Sequence, residues 1–102
     1  MKLVSIEQSD KPKYKYVATF EKDDKKLKRT YFGASGYGDF IQYSKELPQK
    51  EAEEKKLSYQ VRHLKDLDTK DPTRAGYLSY FLLWNKPTLE ASIRDYKRMF
   101  KL

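Results

Sequence analysis

The feature that most constrains this chain is a change of hydropathy period across Gly33-Ala34-Ser35-Gly36-Tyr37-Gly38-Asp39. Three glycines within six residues suit a backbone leaving a sheet, where positive φ or close approach is needed. Before this turn the apolar residues alternate. Tyr14, Tyr16, Ala18 and Phe20 share one face, and Lys15, Val17 and Thr19 share the other, the period of a half-buried strand. A second strand is predicted over Leu27–Phe32, joined to the first through Asp23-Asp24 as an antiparallel hairpin. Leu3, Val4 and Ile6, ahead of the Ser9-Asp10-Lys11-Pro12 break, predict a preceding strand and hence a three-stranded antiparallel meander.

After the turn the spacing becomes helical. Asp39 is placed to cap a helix over Phe40–Leu47, and Pro48 ends that helix or opens the next. Glu51, Glu53 and Glu54 then complement the dipole of a first turn; as near-consecutive helix positions they diverge, which disfavours a metal site. Leu57, Val61 and Leu64, at i, i+4 and i+7, predict a helix over 49–65 that buries one narrow stripe. Asp71-Pro72 reads as the next helix start, carboxylate at the cap and proline in the first position. Tyr77–Trp84 is apolar nearly all round and marks the central helix, with Phe81 and Trp84 in the core. After Thr88, the residues Leu89, Ile93, Tyr96 and Phe100 define the inner face of a last helix, with Arg94, Lys97, Arg98 and Lys101 on its other side. The expected fold is α+β, a three-stranded antiparallel sheet followed by three to four helices. It forms one domain over 1–102, made of a β-meander (1–33), the Gly-rich turn (34–39) and a helical part (40–102).

A chain of 102 residues supports one core and leaves no room for a deep cofactor cleft. Its 38% hydrophobic content is low, but nine Tyr, five Phe and one Trp supply large buriable areas and argue against disorder. The absence of cysteine excludes disulfides, thiolate metal sites and cysteine nucleophiles. No apolar run is long enough to span a bilayer and the first twenty residues lack a signal-peptide core, so the expected location is intracellular, without membrane insertion or secretion. The turn lacks the Gly-Lys-Ser/Thr ending of a P-loop and the GxGxxG spacing, so its glycines are expected to fix sheet against helix, with Tyr37 and Phe40 as packing residues. His63 is the only histidine and cannot make a usual zinc site by itself. It is within reach of Asp66 or Asp68 as a general base, yet no activated nucleophile accompanies it, Ser79 lying in an apolar helix. Packing or capping, or an interaction surface with Arg62, is the expected role. No cofactor, metal or small-molecule substrate is expected, and no enzymatic activity.

Several segments together resemble a known group: Tyr31-Phe32-Gly33-Ala34-Ser35-Gly36-Tyr37-Gly38-Asp39-Phe40, Tyr59-x-x-Arg62-His63, Asp71-Pro72 with Ala75-Gly76-x-Leu78-Ser79, Leu83-Trp84-Asn85-Lys86-Pro87-Thr88-Leu89, and Ser92-Ile93 with Tyr96 and Phe100. The pattern resembles a small family encoded by large nucleocytoplasmic DNA viruses of algae and protists, over about residues 14–100. That family has no established activity; the resemblance implies a viral setting, in an infected host cell and within the virion. Where its members carry a basic, His-containing stretch after the turn, this chain has Gln42-Tyr43-Ser44-Lys45 leading through Pro48 to the acidic Glu51–Glu54 run.

The formal charge is +7, from 22 Lys+Arg and 15 Asp+Glu. The excess sits at the two ends: +4 over residues 1–33, −1 over 34–71 and +4 over 72–102. Lys13-Tyr14-Lys15-Tyr16 and Lys28-Arg29-x-Tyr31 interleave cations with aromatics, the combination that neutralises phosphates and stacks on unpaired bases. The expected function is therefore nucleic-acid binding, viral DNA or RNA, with phosphate contacts from Lys13, Lys15, Lys28, Arg29, Arg94, Lys97, Arg98 and Lys101 and stacking by Tyr14 or Tyr31. The rival expectation is a minor capsid, cement or internal virion protein that docks on acidic protein surfaces, since aromatics and arginine are enriched at interfaces.

Overall fold

The computed structural model describes all 102 residues. Strands β1 (Lys2–Gln8), β2 (Tyr14–Glu21) and β3 (Leu27–Ala34) form an antiparallel sheet in sequential order. Four helices follow: α1 (Phe40–Glu46), α2 (Gln49–His63), α3 (Ala75–Leu78) and α4 (Leu89–Phe100). A 3-10 segment, Leu64–Thr69, extends α2, and a π-helical segment, Ser79–Leu83, extends α3. This is the α+β architecture that the change of period predicts. No helix is long and apolar enough to cross a membrane.

The ladder register assigns the faces. Tyr16 lies opposite Phe32, Ala18 opposite Thr30 and Phe20 opposite Lys28, and this face meets the helices. Val17 opposite Tyr31 and Thr19 opposite Arg29 look the other way. A bulge between Leu3 and Ser5 lets both Leu3 and Ile6 face inward and leaves Val4 exposed. Leu3, Ala18, Phe20 and Phe32 join Phe40, Ala52, Leu78, Leu82, Leu83, Trp84 and Tyr96 in one core. Three of these, Leu78, Leu82 and Leu83, come from α3 and its π extension, so the apolar Tyr77–Trp84 run is central as expected.

Helix starts follow their caps. The Asp39 side chain accepts from the Gln42 backbone N–H at 2.9 Å and opens α1; Thr88 does the same for Ala91 in α4. Asp71-Pro72 departs from the expectation. Its carboxylate accepts from the Thr73 N–H and hydroxyl within a turn, and α3 begins only at Ala75. That turn instead joins sheet to helices: Lys28 Nζ donates to Thr73 Oγ1 at 2.8 Å, the Thr30 hydroxyl donates to the Thr73 carbonyl at 2.9 Å, and the Tyr96 hydroxyl donates to the Pro72 carbonyl.

The stripe expected to bury α2 is reversed. Leu57, Val61 and Leu64 are 62%, 70% and 58% exposed, while the helix turns Ala52, Tyr59 and Gln60 inward. Tyr59 stacks on Trp84 with ring centroids 4.3 Å apart, and Gln60 Nε2 donates to the Trp84 carbonyl at 3.1 Å. One large ring stacked on a buried indole and a polar bond to its backbone hold the helix in this rotation, against the alternative of burying three aliphatic side chains.

Candidate nucleic-acid interface and its cleft

The Gly-rich turn, the end of α2 and the π segment enclose a cleft of about 490 Å³. Backbone geometry brings its walls together. Gly33 has φ of +79°, and a Cβ there would fall 2.8 Å from Leu83 Cδ1, so the turn presses directly on the π segment. At Gly38 a Cβ would fall 2.3 Å from the Tyr43 ring, which occupies that space. Lys15 Nζ and the Asp39 carboxylate pair at 2.8 Å in the wall, with their side chains only 21% and 10% exposed.

The floor is a parallel stack. Trp84 and Tyr59 lie 4.3 Å apart at 4°, and Tyr59 and His63 lie 4.1 Å apart at 20°. Nδ1 of His63 is 2.9 Å from Asp66 Oδ2, which fixes the ring. Burial pushes the Tyr59 phenol up to about 12, with the Asp66 charge adding to it, so the hydroxyl keeps its proton near neutral pH. Arg62 is exposed at the rim and forms no ion pair. Chemically this is a flat aromatic wall beside a free cation.

A second cluster lies on the face of the sheet turned away from the helices. Tyr14, expected to share the inner face of Tyr16, instead has its ring centroid 5.8 Å from that of Tyr31, and neither ring belongs to the core. The β1–β2 loop folds back over them: the Tyr31 hydroxyl donates to Asp10 at 2.7 Å, holding that carboxyl below its ordinary range, and Lys11 Nζ sits 4.2 Å from the Tyr31 ring centroid. Arg29 approaches the same ring at 5.8 Å. Because Lys11 covers Tyr31, the ring open for stacking is Tyr14, which is 40% exposed. The two clusters meet. Tyr14 pairs across the ladder with Ala34, and both Ala34 and Lys15 line the cleft.

The expected site residues therefore separate into groups. Lys15, Arg62 and His63, remote in sequence, line one cleft, Tyr14, Arg29 and Tyr31 cluster beside it, and Lys13, the residue before Tyr14, is exposed. Lys15 is not on the solvent side with Thr19; its half-buried ammonium is engaged by Asp39. Lys28 and Arg29, expected to act together, project from opposite faces of the sheet, and Lys28 is spent on Thr73. Arg94, Lys97 and Arg98 are exposed on α4 and Lys101 at its C-terminal cap, with Arg98 paired to Asp95. The opposite side of α4 enters the core through Tyr96, with Leu89, Ile93 and Phe100 packed against it. Tyr37, expected as a packing residue, is 73% exposed at the cleft mouth, whereas Phe40 is buried.

Site reasoning from charge alone missed Tyr37, Asp39, Tyr43, Tyr59 and Trp84, all of which line the cleft. Most of them fall in the segments Tyr31–Phe40, Tyr59–His63 and Leu83–Leu89, and the fold brings these three to one cavity. Compared with family models, curated proteins and solved structures, the chain matches none.

Proposed function

We propose that the protein is a non-enzymatic binder of single-stranded nucleic acid, acting in the viral setting that the sequence resemblance implies. The observation that carries this reading is the junction at the Tyr14–Ala34 end of the sheet, where exposed rings and unpaired cations adjoin. Tyr14 and Tyr37 are 40% and 73% exposed, and Lys13 and Arg62 form no ion pair. Aromatic faces stack on bases of any sequence, and free cations follow the phosphates. A strand laid past Lys13 and Tyr14 toward Tyr37 and Arg62 uses both.

Fluorescence anisotropy with a labelled oligothymidylate, measured over a salt series, tests this. Binding should weaken with salt by a log–log slope of about −0.7 per neutralised phosphate. Tyr14→Ala should weaken affinity about 5- to 150-fold with the slope unchanged, the range for one lost stacking contact. Arg62→Gln should make the slope shallower by about 0.7. Absence of binding at low salt, or wild-type behaviour of both variants, overturns the reading. Retention on particle shells after nuclease treatment, in the absence of oligonucleotide binding, would install the structural-protein reading in its place.

A further inference from the structure

The aromatic floor of the cleft ends on an open ring. Tyr59 stacks on Trp84 at 4.3 Å and on His63 at 4.1 Å, while Trp84 and His63 form no ring pair with each other, so they cover opposite faces of Tyr59. Trp84 is buried at the inner end of this column. His63 is the outer end. Its side chain is 40% exposed, no second ring of the protein stacks on it, and its bond to Asp66 at 2.9 Å holds the imidazole in place. A column of this kind accepts one more flat ring on its last member, and histidine is among the side chains on which unpaired bases stack.

The ionisable groups around the cleft select the chemistry of that ring. Lys15 and Asp39 neutralise each other in the wall, and the Asp66 carboxylate is engaged by His63. Arg62 at the rim is the one lining group with an unpaired charge, and on its other side it borders Glu51, Glu54 and Lys55, which bring the local sum to zero. A bare phosphate therefore gains little there, and a cation finds no free carboxylate in the cleft. An uncharged heteroaromatic ring with one phosphate close by suits both the column and Arg62. The volume, about 490 Å³, lies in the range of sites that enclose a single small molecule, and Tyr37 supplies a further aromatic side chain at the mouth. Resting on the single-strand reading, we infer that the cleft is a base pocket: one nucleobase of the bound strand turns into it, stacks on the open face of His63 as the fourth ring of the column, and leaves its phosphate against Arg62. Tyr14 then holds a different base outside the cleft, so the two rings have separable ligands.

Amide and indole chemical shifts of the full chain, followed on addition of thymidine monophosphate, test this. Signals of Gly33, Gly38, His63 and the Trp84 indole, all in the cleft lining, should shift and saturate. The expected Kd is on the order of 1 mM, the strength of one stacked base and one phosphate. Thymidine without its phosphate should bind no more than about fivefold weaker, the size of one exposed ion pair, and inorganic phosphate at equal ionic strength should not displace it. His63→Ala should weaken the mononucleotide at least about fivefold, and His63→Phe should restore it because a phenyl ring offers the same face. Tyr14→Ala should leave the mononucleotide unaffected while it weakens the oligothymidylate. An oligothymidylate that binds and loses affinity in Y14A, together with a mononucleotide that leaves the cleft signals unmoved, overturns the base pocket and leaves the single-strand reading in place. Wild-type mononucleotide affinity in H63A, or displacement by phosphate, overturns it as well. Saturating mononucleotide shifts without any oligonucleotide binding would instead strike the single-strand reading alone.

Discussion

Gly33 and Gly36 offer a controlled comparison of what a turn demands from its backbone and what it demands from its neighbours. Both have positive φ, +79° and +85°, but a Cβ on Gly36 meets nothing within 4 Å, whereas one on Gly33 falls 2.8 Å from Leu83 Cδ1 and 3.3 Å from Lys15 Cβ. Holding an L-residue in the left-handed region costs about 1–2 kcal/mol. Alanine also restricts the unfolded chain, which returns about 0.4–1 kcal/mol. Gly36→Ala should therefore cost about 0.5–1.5 kcal/mol. Gly33→Ala carries the same balance plus overpacking against a well-packed leucine, about 1–3 kcal/mol more, for a total of about 2–4 kcal/mol.

Urea unfolding followed by fluorescence of the single Trp84, which is 9% exposed, reads both values. For a domain of this size the difference between the variants corresponds to roughly 4–20 °C in Tm. Leu83→Val removes the clashing methyl. The G33A/L83V double variant should accordingly lose less than the sum of the single losses, by about 1 kcal/mol. Equal destabilisation by G33A and G36A, or strict additivity with L83V, would refute the claim that the turn is pressed against the π segment.

Three further outcomes follow from the geometry. Thr73, 2% exposed, bonds Lys28 and Asp71 through its hydroxyl, so Thr73→Val should cost about 1.5–3 kcal/mol in urea unfolding and should relieve the depression of the Asp71 carboxyl, which Thr73 chiefly causes; an Asp71 titration by NMR that does not move would contradict this. Asp39→Ala removes the α1 cap and strands the half-buried Lys15, for about 2–3 kcal/mol, whereas Lys15→Met should cost less because Asp39 keeps its bond to the Gln42 N–H; the reverse order would show that the ion pair, not the cap, dominates. At alkaline pH the folded chain retains the Tyr59 proton to about 12 while the unfolded chain releases its own near 10, so stability is complete below pH 10 and falls as pH rises toward 12, by about 1–2 kcal/mol for this partly exposed group. Burial raises Tyr96 in the same direction, and Tyr59→Phe should flatten the profile; unfolding free energies that match at pH 9 and 11 would exclude the effect.

The sheet, the central helix and the last helix were legible because each rests on a local rule that the tertiary structure has no reason to override. Alternation around Ala18 and Phe20, the Asp39 and Thr88 caps, and an apolar run at Tyr77–Trp84 all agree with the core they enter. α2 was not legible in this way because its sequence carries two competing faces. Leu57, Val61 and Leu64 present the better period, but Tyr59 has the larger ring and a specific partner in Trp84, a residue 25 positions away whose nearness no periodicity reports. The same blindness divided the binding residues. Counting charge grouped Lys28 with Arg29 and Lys15 with Lys13, yet one residue of strand period sends Lys28 inward to Thr73, and the turn that carries Asp39 draws Lys15 into the cleft. A cation contributes to an interface only if the fold leaves it unpaired, and pairing is a property of which loops close on which strands. The uncovered α2 stripe and the cleft beside it share a cause. By turning inward to stack on Trp84, Tyr59 builds the aromatic floor and, in the same rotation, places three aliphatic side chains in water. The aromatic floor and the exposure of that stripe are thus set by one ring, and Tyr59→Ala, which removes the stack on Trp84, should lower stability and weaken oligonucleotide binding together.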